Sequence, residues 1–203
     1  MTSASHPANP RRDFAALALR SLSLLLLAAG IVALGYVAYA WVSARNFQAL
    51  ESRKFERAVA QPERSPDTRI VTEGEVIGKI EVPRLSLSAI VVQGDSEEVL
   101  RRAVGHVPET ALPGQAGNIA LAGHRDTIFR PLRDIRVGDR VTLKTVARDQ
   151  TYQVVSTEVV SPTDMEVLHS RGENELTLIT CFPFRYIGHA PDRFIVRARQ
   201  VGE

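Results

Sequence analysis

Cysteine, unbalanced charge and metal-ligand patterns are all scarce in this chain. One cysteine occurs in 203 residues, so no internal disulfide can form and a disulfide-stapled fold is excluded. The formal net charge is only +2, with acidic and basic residues well mixed beyond the amino terminus, so no nucleic-acid partner is expected. The histidines lack close paired spacing and only one thiol is present, so neither a metal site nor a cofactor is predicted.

Charge is also absent from one long segment near the amino terminus. Residues 21–44 carry no charged side chain and consist mainly of Leu, Ala, Val and Ile. About 20 apolar residues suffice for a helix to cross a bilayer, which predicts a transmembrane helix over 21–44. The alternative is a cleaved signal peptide, whose apolar region is normally shorter, about 7 to 15 residues. Tyr36, Tyr39 and Trp41 gather at the carboxyl end of the run, as rings do at a membrane interface.

Basic residues on both sides of this segment leave its orientation open by count alone. Arg11, Arg12 and Arg20 precede it, and Arg45, Arg53, Lys54 and Arg57 follow it. A short basic tail before a first helix ordinarily stays in the cytoplasm, and a following domain translocates largely regardless of its charges. We therefore predict a cytoplasmic leader over residues 1–20 and a single-pass cell-membrane protein whose following domain is extracytoplasmic.

The remainder divides into a polar connector and one domain. Residues 45–70 read as a stalk or linker with near-helical spacing of Phe47, Leu50, Phe55 and Val59, which Pro62 interrupts. Residues 71–203 have the length of one domain. The domain contains short β-type runs separated by turn residues, and only weak helical signals near 96–103 and 127–134. Seven strands are predicted: 76–82, 87–92, 119–122, 140–145, 151–160, 176–180 and 194–199.

Three reactive side chains stand at the ends of predicted strands. Cys181 ends one strand, His124 follows another through Gly123, and Arg193 opens a third. An imidazole that takes the thiol proton raises the reactive thiolate fraction, and a permanent cation stabilises an oxyanion. Each residue also has a purely structural interpretation. In that interpretation Cys181 is a buried inert thiol, His124 is a turn histidine, and Arg193 belongs to a surface ion pair. Arg197 and Arg199 lie on the same strand face as Arg193 and are the alternatives to it.

Three motifs resemble one known family. The run 177–181, Thr-Leu-Ile-Thr-Cys, matches the TLxTC signature of sortases, the membrane-anchored cysteine transpeptidases of bacterial cell surfaces. Residues 110–127 resemble the family's catalytic-histidine segment, and residues 192–196 resemble its catalytic-arginine strand. The segment 181–191 is most similar in sequence to class D sortases. Class C enzymes usually add an aspartate-proline-aromatic lid and a second membrane span, and neither is seen in this sequence.

The resemblance implies a fold and a reaction. The fold is mainly β: a closed eight-stranded barrel with short helices, preceded by the transmembrane helix. The reaction is cleavage of an LPxTG-like sorting signal through a thioester, with transfer to an amine of a cell-wall precursor or protein, and with hydrolysis as a side reaction. By position, Cys181 is the nucleophile, His124 the general acid and Arg193 the substrate and oxyanion clamp.

Substrate-binding residues follow from the same resemblance. Thr180 would contribute its backbone or its hydroxyl to the oxyanion site, and Val167 and Leu168 would meet apolar residues of the sorting signal. Some sortases bind calcium near the loop beside the active site. For this sequence we predict no calcium site. Two other classes remain as rivals: a cell-wall L,D-transpeptidase, whose SHGC-type phrase is absent, and a tethered barrel that only binds other proteins.

Overall fold

The computed structural model describes residues 10–61, 71–170, 174–186 and 188–202. Two compact units are present, Met1–Ser43 and Ala44–Glu203. Helix α1, Pro10–Ala60, supplies all the described structure of the first unit. Leucine side chains in this unit are more than half exposed, for example Leu24 and Leu34 at 66% and 72%, as suits a helix whose partner is lipid. From Leu19 onward α1 is long and apolar enough to be a candidate membrane span, which contains the predicted segment 21–44.

A closed barrel of eight strands dominates the second unit. Its spatial order is β1-β2-β3-β4-β7-β8-β6-β5, with β5 paired back to β1. Most pairs are antiparallel, whereas β2–β3 and β4–β7 are parallel. The strands are β1 Val76–Val82, β2 Leu87–Gln93, β3 Val104–His106, β4 Asn118–Ala122, β5 Arg140–Lys144, β6 Asp149–Val160, β7 Glu175–Phe182 and β8 Asp192–Gln200.

The barrel interior is filled by branched and aromatic side chains. Alternating residues of each strand point inward, so that Val141 and Leu143 of β5 are both fully buried. Leu176 and Leu178 of β7 join the same core. Tyr152 is 1% exposed, and burial raises its pKa to about 12.

Helical structure in this unit is short apart from the end of α1. Helix α2 covers Glu97–Leu100, within the region 96–103 where the sequence predicts a helix. Three 3₁₀ helices span Pro83–Leu85, Arg130–Asp134 and Met165–Leu168. The predicted mainly β fold with a closed eight-stranded barrel is confirmed. The strand that the residue pattern missed is β3, which is three residues long.

The last turns of α1 pack against the barrel. Phe55 is 6% exposed and lies in a cluster with Ile90, Val99 and Ala103, while Phe47 packs at its edge. Within the predicted stalk of 45–70, the structure is thus helical to Ala60 and contributes to a hydrophobic cluster. The predicted boundary near residue 70 and most of the leader's first half lie outside the described residues.

Gln48 adds a polar attachment between α1 and the barrel. Its Oε1 accepts the Ile90 backbone N–H at 2.9 Å, and its Nε2 donates to the Arg102 carbonyl at 2.7 Å. Strand β3 begins opposite Val91, so Ile90 lies beyond the end of the β2–β3 pairing. The Gln48 amide therefore satisfies backbone groups where the strand partner stops.

Candidate active site

Strand register places Cys181 and Arg193 side by side. Strands β7 and β8 run antiparallel, and these two residues are direct cross-strand partners. Partners opposite each other have Cβ atoms about 4.5–5.5 Å apart, so the thiol and the guanidinium project from the same face. Arg193 Nη1 donates to the carbonyls of Asp192 at 3.1 Å and Ala190 at 3.5 Å. Among the described side chains, no carboxylate forms a salt bridge with Arg193.

His124 reaches the same place through the parallel pair β4–β7. The last register pair is Ala122 with Ile179, and the Gly123 N–H donates to the Ile179 carbonyl at 3.1 Å. His124 and Cys181 each lie two residues beyond that pair, so the parallel strands deliver both to one end of the barrel. The His124 side chain is 29% exposed.

The turn that carries His124 depends on two neighbours. A Cβ atom on Gly123 would lie 2.7 Å from the Phe129 ring, which is fully buried, so only glycine allows this ring to pack beneath the turn. Thr180 is 2% exposed, and its hydroxyl donates to the Gly123 carbonyl at 2.7 Å. The Thr180 hydroxyl thus fastens the histidine turn to β7, and the Thr180 backbone is paired with Phe194 of β8.

A groove of about 390 Å³ contains all three reactive residues. Cys181, His124 and Arg193 line it together with Val167 and Leu168, the residues that sequence analysis placed on the substrate. Its other walls are mostly apolar and include Val160, Ile179 and Ile195. Val167 is 6% exposed, so it forms part of the floor. An apolar groove with a few convergent polar groups is suited to an extended peptide with apolar side chains.

An acidic side chain borders His124. Glu97, in the first turn of α2, places Oε2 3.7 Å from His124 Nε2. Glu97 is 77% exposed at its side chain, so solvent screens this contact strongly and the pair contributes little to stability. The carboxylate nevertheless faces the imidazole at the mouth of the groove.

Arg125 lies within residues 110–127, the segment that resembles the histidine motif, and the sequence alone predicts no function for it. Its guanidinium donates to three carbonyls of the loop between β7 and β8, those of Pro183 at 3.1 Å, Tyr186 at 2.9 Å and Gly188 at 3.1 Å. It also lies 5.8 Å from the Tyr186 ring centroid. The loop that begins next to the cysteine is thereby held by the residue that follows the histidine. In the sequence, only its position next to His124 indicates that Arg125 belongs to the site.

His106, which lies in strand β3, does not line this groove. It is 1% exposed, with Nδ1 2.9 Å from Gln93 Oε1 and Nε2 2.9 Å from the Ala111 carbonyl. Burial lowers the pKa of His106, opposed in part by the Ala111 hydrogen bond and the charge of Asp95. His106 therefore joins β3 to the following loop as a structural residue. Within the described ranges, no group of three or more His, Cys, Asp or Glu side chains could hold a metal ion.

The closed barrel presents one groove that is lined by a partly exposed thiol, an imidazole and a guanidinium, a set of side chains typical of a cysteine enzyme. The sortase-domain family model matches residues 80–201. The chain belongs to the sortase family and is a sortase cysteine transpeptidase. The prediction of a sortase similar to class D is confirmed.

Individual relatives agree with this assignment. The chain is 29% identical to Sortase D of Bacillus subtilis (strain 168) over 193 residues, which cover 89% of this chain and 98% of the relative. It is 30% identical to Sortase SrtE1 of Streptomyces coelicolor over 192 residues, but these span only 54% of that protein.

Solved structures give the same picture. A Clostridium perfringens Sortase D5 transpeptidase superposes with a TM-score of 0.63 at 26% identity, covering 78% of this chain and 98% of that one. Sortase C1 of GBS pilus island 1 superposes with a TM-score of 0.68 at 26% identity, covering 77% and 93%.

Proposed function

We propose that this protein cleaves an LPxTG-like sorting signal on the outer face of the cell membrane and transfers the acyl part to an amine. The observation that carries the proposal is the single groove in which Cys181, His124 and Arg193 meet beside an apolar wall. The amine belongs to a cell-wall precursor or to another protein. The candidate span in α1 supports a single-pass anchor with the barrel outside and residues 1–20 in the cytoplasm.

The first half of the reaction forms a thioester. The thiol proton of Cys181 passes to His124, and the sulfur attacks the carbonyl carbon between the Thr and Gly positions of the signal. The carbonyl oxygen becomes an oxyanion, which the positively charged Arg193 guanidinium stabilises through hydrogen bonds and charge. His124 then donates its proton to the departing glycine amine, the C–N bond breaks, and the acyl group stays on sulfur.

The second half reverses these roles with a new amine. The incoming amine attacks the thioester carbonyl and His124 accepts its surplus proton. The C–S bond then breaks, and His124 returns the proton to the departing sulfur, which restores the Cys181 thiol. Water in place of the amine gives hydrolysis as a side reaction. Val167 and Leu168 hold apolar residues of the signal during both halves, and the backbone at Thr180 assists Arg193 at the oxyanion.

The test uses the full chain in detergent micelles with a library of LPxTG-like peptides and a panel of amines, analysed by product mass. Wild type should give amide products joined after the Thr position, and Cys181→Ala should give none, with an unchanged circular dichroism spectrum because a small side chain at a strand end costs little packing. Turnover by Cys181→Ala would exclude the proposed nucleophile. Absence of product with wild type, together with failure to react with a thiol-directed acyl probe, would favour a barrel that only binds proteins.

A further inference from the structure

The apolar wall of the groove is attached to the barrel by a buried side-chain amide. Val167 and Leu168 belong to the 3₁₀ helix Met165–Leu168 in the segment that follows β6. Asn118, the first residue of β4, donates from Nδ2 to the Val167 carbonyl at 3.3 Å and to the Leu168 carbonyl at 3.1 Å. Asn118 is only 3% exposed, so these hydrogen bonds form where water cannot replace them.

A threonine on the neighbouring strand fixes the orientation of this amide. Thr177 of β7 is fully buried, and its hydroxyl donates to Asn118 Oδ1 at 2.8 Å. With its oxygen engaged by that hydroxyl, Asn118 must turn its NH₂ group toward the two carbonyls, which are acceptors only. The three groups form one directional chain from β7 through β4 to the groove wall.

The attached helix is held by the buried side chain of Val167, by a cap at its amino end and by the Asn118 amide. Its amino end is capped within its own segment, where Asp164 Oδ1 accepts the Glu166 N–H at 3.1 Å. A helix of four residues leaves its last carbonyls without intrahelical donors. The Asn118 amide supplies those donors from the rigid sheet, so the wall is fixed relative to the strand that carries Cys181.

We propose that Asn118, oriented by Thr177, is a positioning residue that sets which apolar side chain of the substrate the groove accepts. The proposal rests on the function proposed above for this groove. Neither residue faces the reacting atoms; Asn118 acts through the placement of Val167 and Leu168. The affected property is therefore recognition of the donor peptide rather than the reactivity of the thiol.

The kinetic test compares three variants of the full chain in detergent. Asn118→Asp keeps the shape but removes the NH₂ donors, Thr177→Val keeps the shape but removes the hydroxyl, and Thr177→Ser keeps the hydroxyl. Substrates are peptides that differ only at the leucine position of the signal. In the first two variants, KM for the preferred peptide should rise about tenfold, or about 1.4 kcal/mol, with kcat nearly unchanged. The kcat/KM values for peptides with Leu, Val or Ala at that position should become more alike. Thr177→Ser should restore both values.

Two measurements that need no peptide turnover accompany the kinetics. Backbone hydrogen exchange in residues 165–170 should accelerate in Asn118→Asp and Thr177→Val but not in Thr157→Val, which alters an exposed threonine of β6. Alkylation of Cys181 by iodoacetamide should keep its wild-type rate in all variants. Unchanged exchange in 165–170, an unchanged peptide preference, or alkylation slowed in parallel with turnover would each overturn the assignment. If wild type turned over none of the peptides, the proposed function would fail, while the exchange result would still decide whether Asn118 holds this segment.

Discussion

At the scale of single residues, the groove is assembled mainly by hydrogen bonds that point away from it. Thr180 secures the histidine turn through the Gly123 carbonyl, and Arg193 is held by backbone carbonyls at the start of β8. Arg125 secures the loop that follows β7. Thr180 and Arg125 each fix a neighbour of a reactive group, so the loss of either donor should change activity without removing a reactive atom.

Replacement of Arg125 tests this view most directly. Arg125→Ala removes donors to three carbonyls of the loop after β7, and Arg125→Lys retains the charge but not the planar fork that serves several acceptors. We expect peptide turnover to fall at least about tenfold in both variants, equivalent to the loss of one or more hydrogen bonds that involve a charged group. Steady-state kinetics of the two variants provide the measurement.

The control for Arg125 is Arg130→Ala, an exposed arginine at the start of the next 3₁₀ helix. It should retain wild-type turnover. Wild-type rates in Arg125→Ala would show that the loop after β7 needs no external support, and equal losses in Arg125→Ala and Arg130→Ala would point to a general effect of positive charge.

His106 provides a residue-scale prediction about pH. Burial lowers its pKa below the ordinary 6.5, so between that value and the folded-state value the unfolded chain binds more protons than the folded chain. The free energy of unfolding is therefore highest when His106 is neutral in both states and decreases as pH falls below about 6.5. The largest slope from one such group is about 1.4 kcal/mol per pH unit. Denaturant unfolding followed by circular dichroism at several pH values measures it.

Two variants separate His106 from the other histidines. His106→Gln cannot titrate and should flatten the dependence of stability on pH between 5.5 and 7.5. His189→Gln, which alters an exposed histidine in the loop after β7, should leave that dependence unchanged. A slope that persists in full in His106→Gln would assign it to another group.

At the scale of elements, the carboxyl end of α1 is a part of the barrel's packing. The near-helical spacing of apolar residues in 45–60 predicted a helix, but spacing did not reveal which of them find a partner. Phe55 is buried at 6% exposure, whereas Leu50 and Val59 remain exposed at 54% and 41%. The difference comes from the contact with β2 and α2, which only the folded domain provides.

Phe55→Ala should therefore destabilise the barrel unit. Truncation of a buried phenylalanine typically costs about 3–5 kcal/mol, and a position at the edge of a core is expected near the lower limit. Leu50→Ala on the same helix should change stability by less than about 0.5 kcal/mol because its side chain is exposed. Denaturant unfolding of both variants compares the two positions. If Phe55→Ala lowered the free energy of unfolding as little as Leu50→Ala, α1 would not contribute to the stability of the barrel.

Strand β3 is the barrel strand that the sequence pattern does not predict. Runs of β-branched and alternating residues predict seven strands. All seven occur: β1 has the predicted ends, and the ends of the other six differ by no more than two residues. Val104–His106 is too short for alternation, and its middle residue is glycine, which strands disfavour. It is a strand because β2 and β4 flank it, and such tertiary support leaves no local pattern. The reactive residues, in contrast, lie at strand ends with recognisable motifs.

Asn118 and Arg125 show the same limit of sequence-based prediction in the candidate active site. Both stand inside the segment that resembles the histidine motif, yet their partners are backbone carbonyls of loops that are 49 or more residues away in sequence. A carbonyl has no side-chain signature, so no pattern in the sequence announces such a contact. The residues proposed to carry out the chemistry are therefore easier to select from the sequence than those that hold the loops.

At the scale of the whole molecule, the charges flanking the candidate span do not decide its orientation. Arginines and a lysine lie on both sides, and the net charge of the chain is only +2. A membrane-impermeant maleimide can decide it, because Cys181 is the only cysteine in the sequence and is partly exposed. We expect it to label Cys181 in right-side-out membrane vesicles without permeabilisation, since the barrel is proposed to lie outside.

The matched control moves the thiol to the other side. In the double variant Ser3→Cys with Cys181→Ala, the sole thiol lies in the predicted cytoplasmic leader, and it should react only after the vesicles are permeabilised. The reverse pattern, with Cys181 protected and the leader cysteine labelled, would place the barrel in the cytoplasm. An orientation of that kind would separate the groove from any cell-wall amine. Release of the barrel from washed vesicles would instead indicate a cleaved signal sequence, because a retained apolar helix keeps the domain in the membrane.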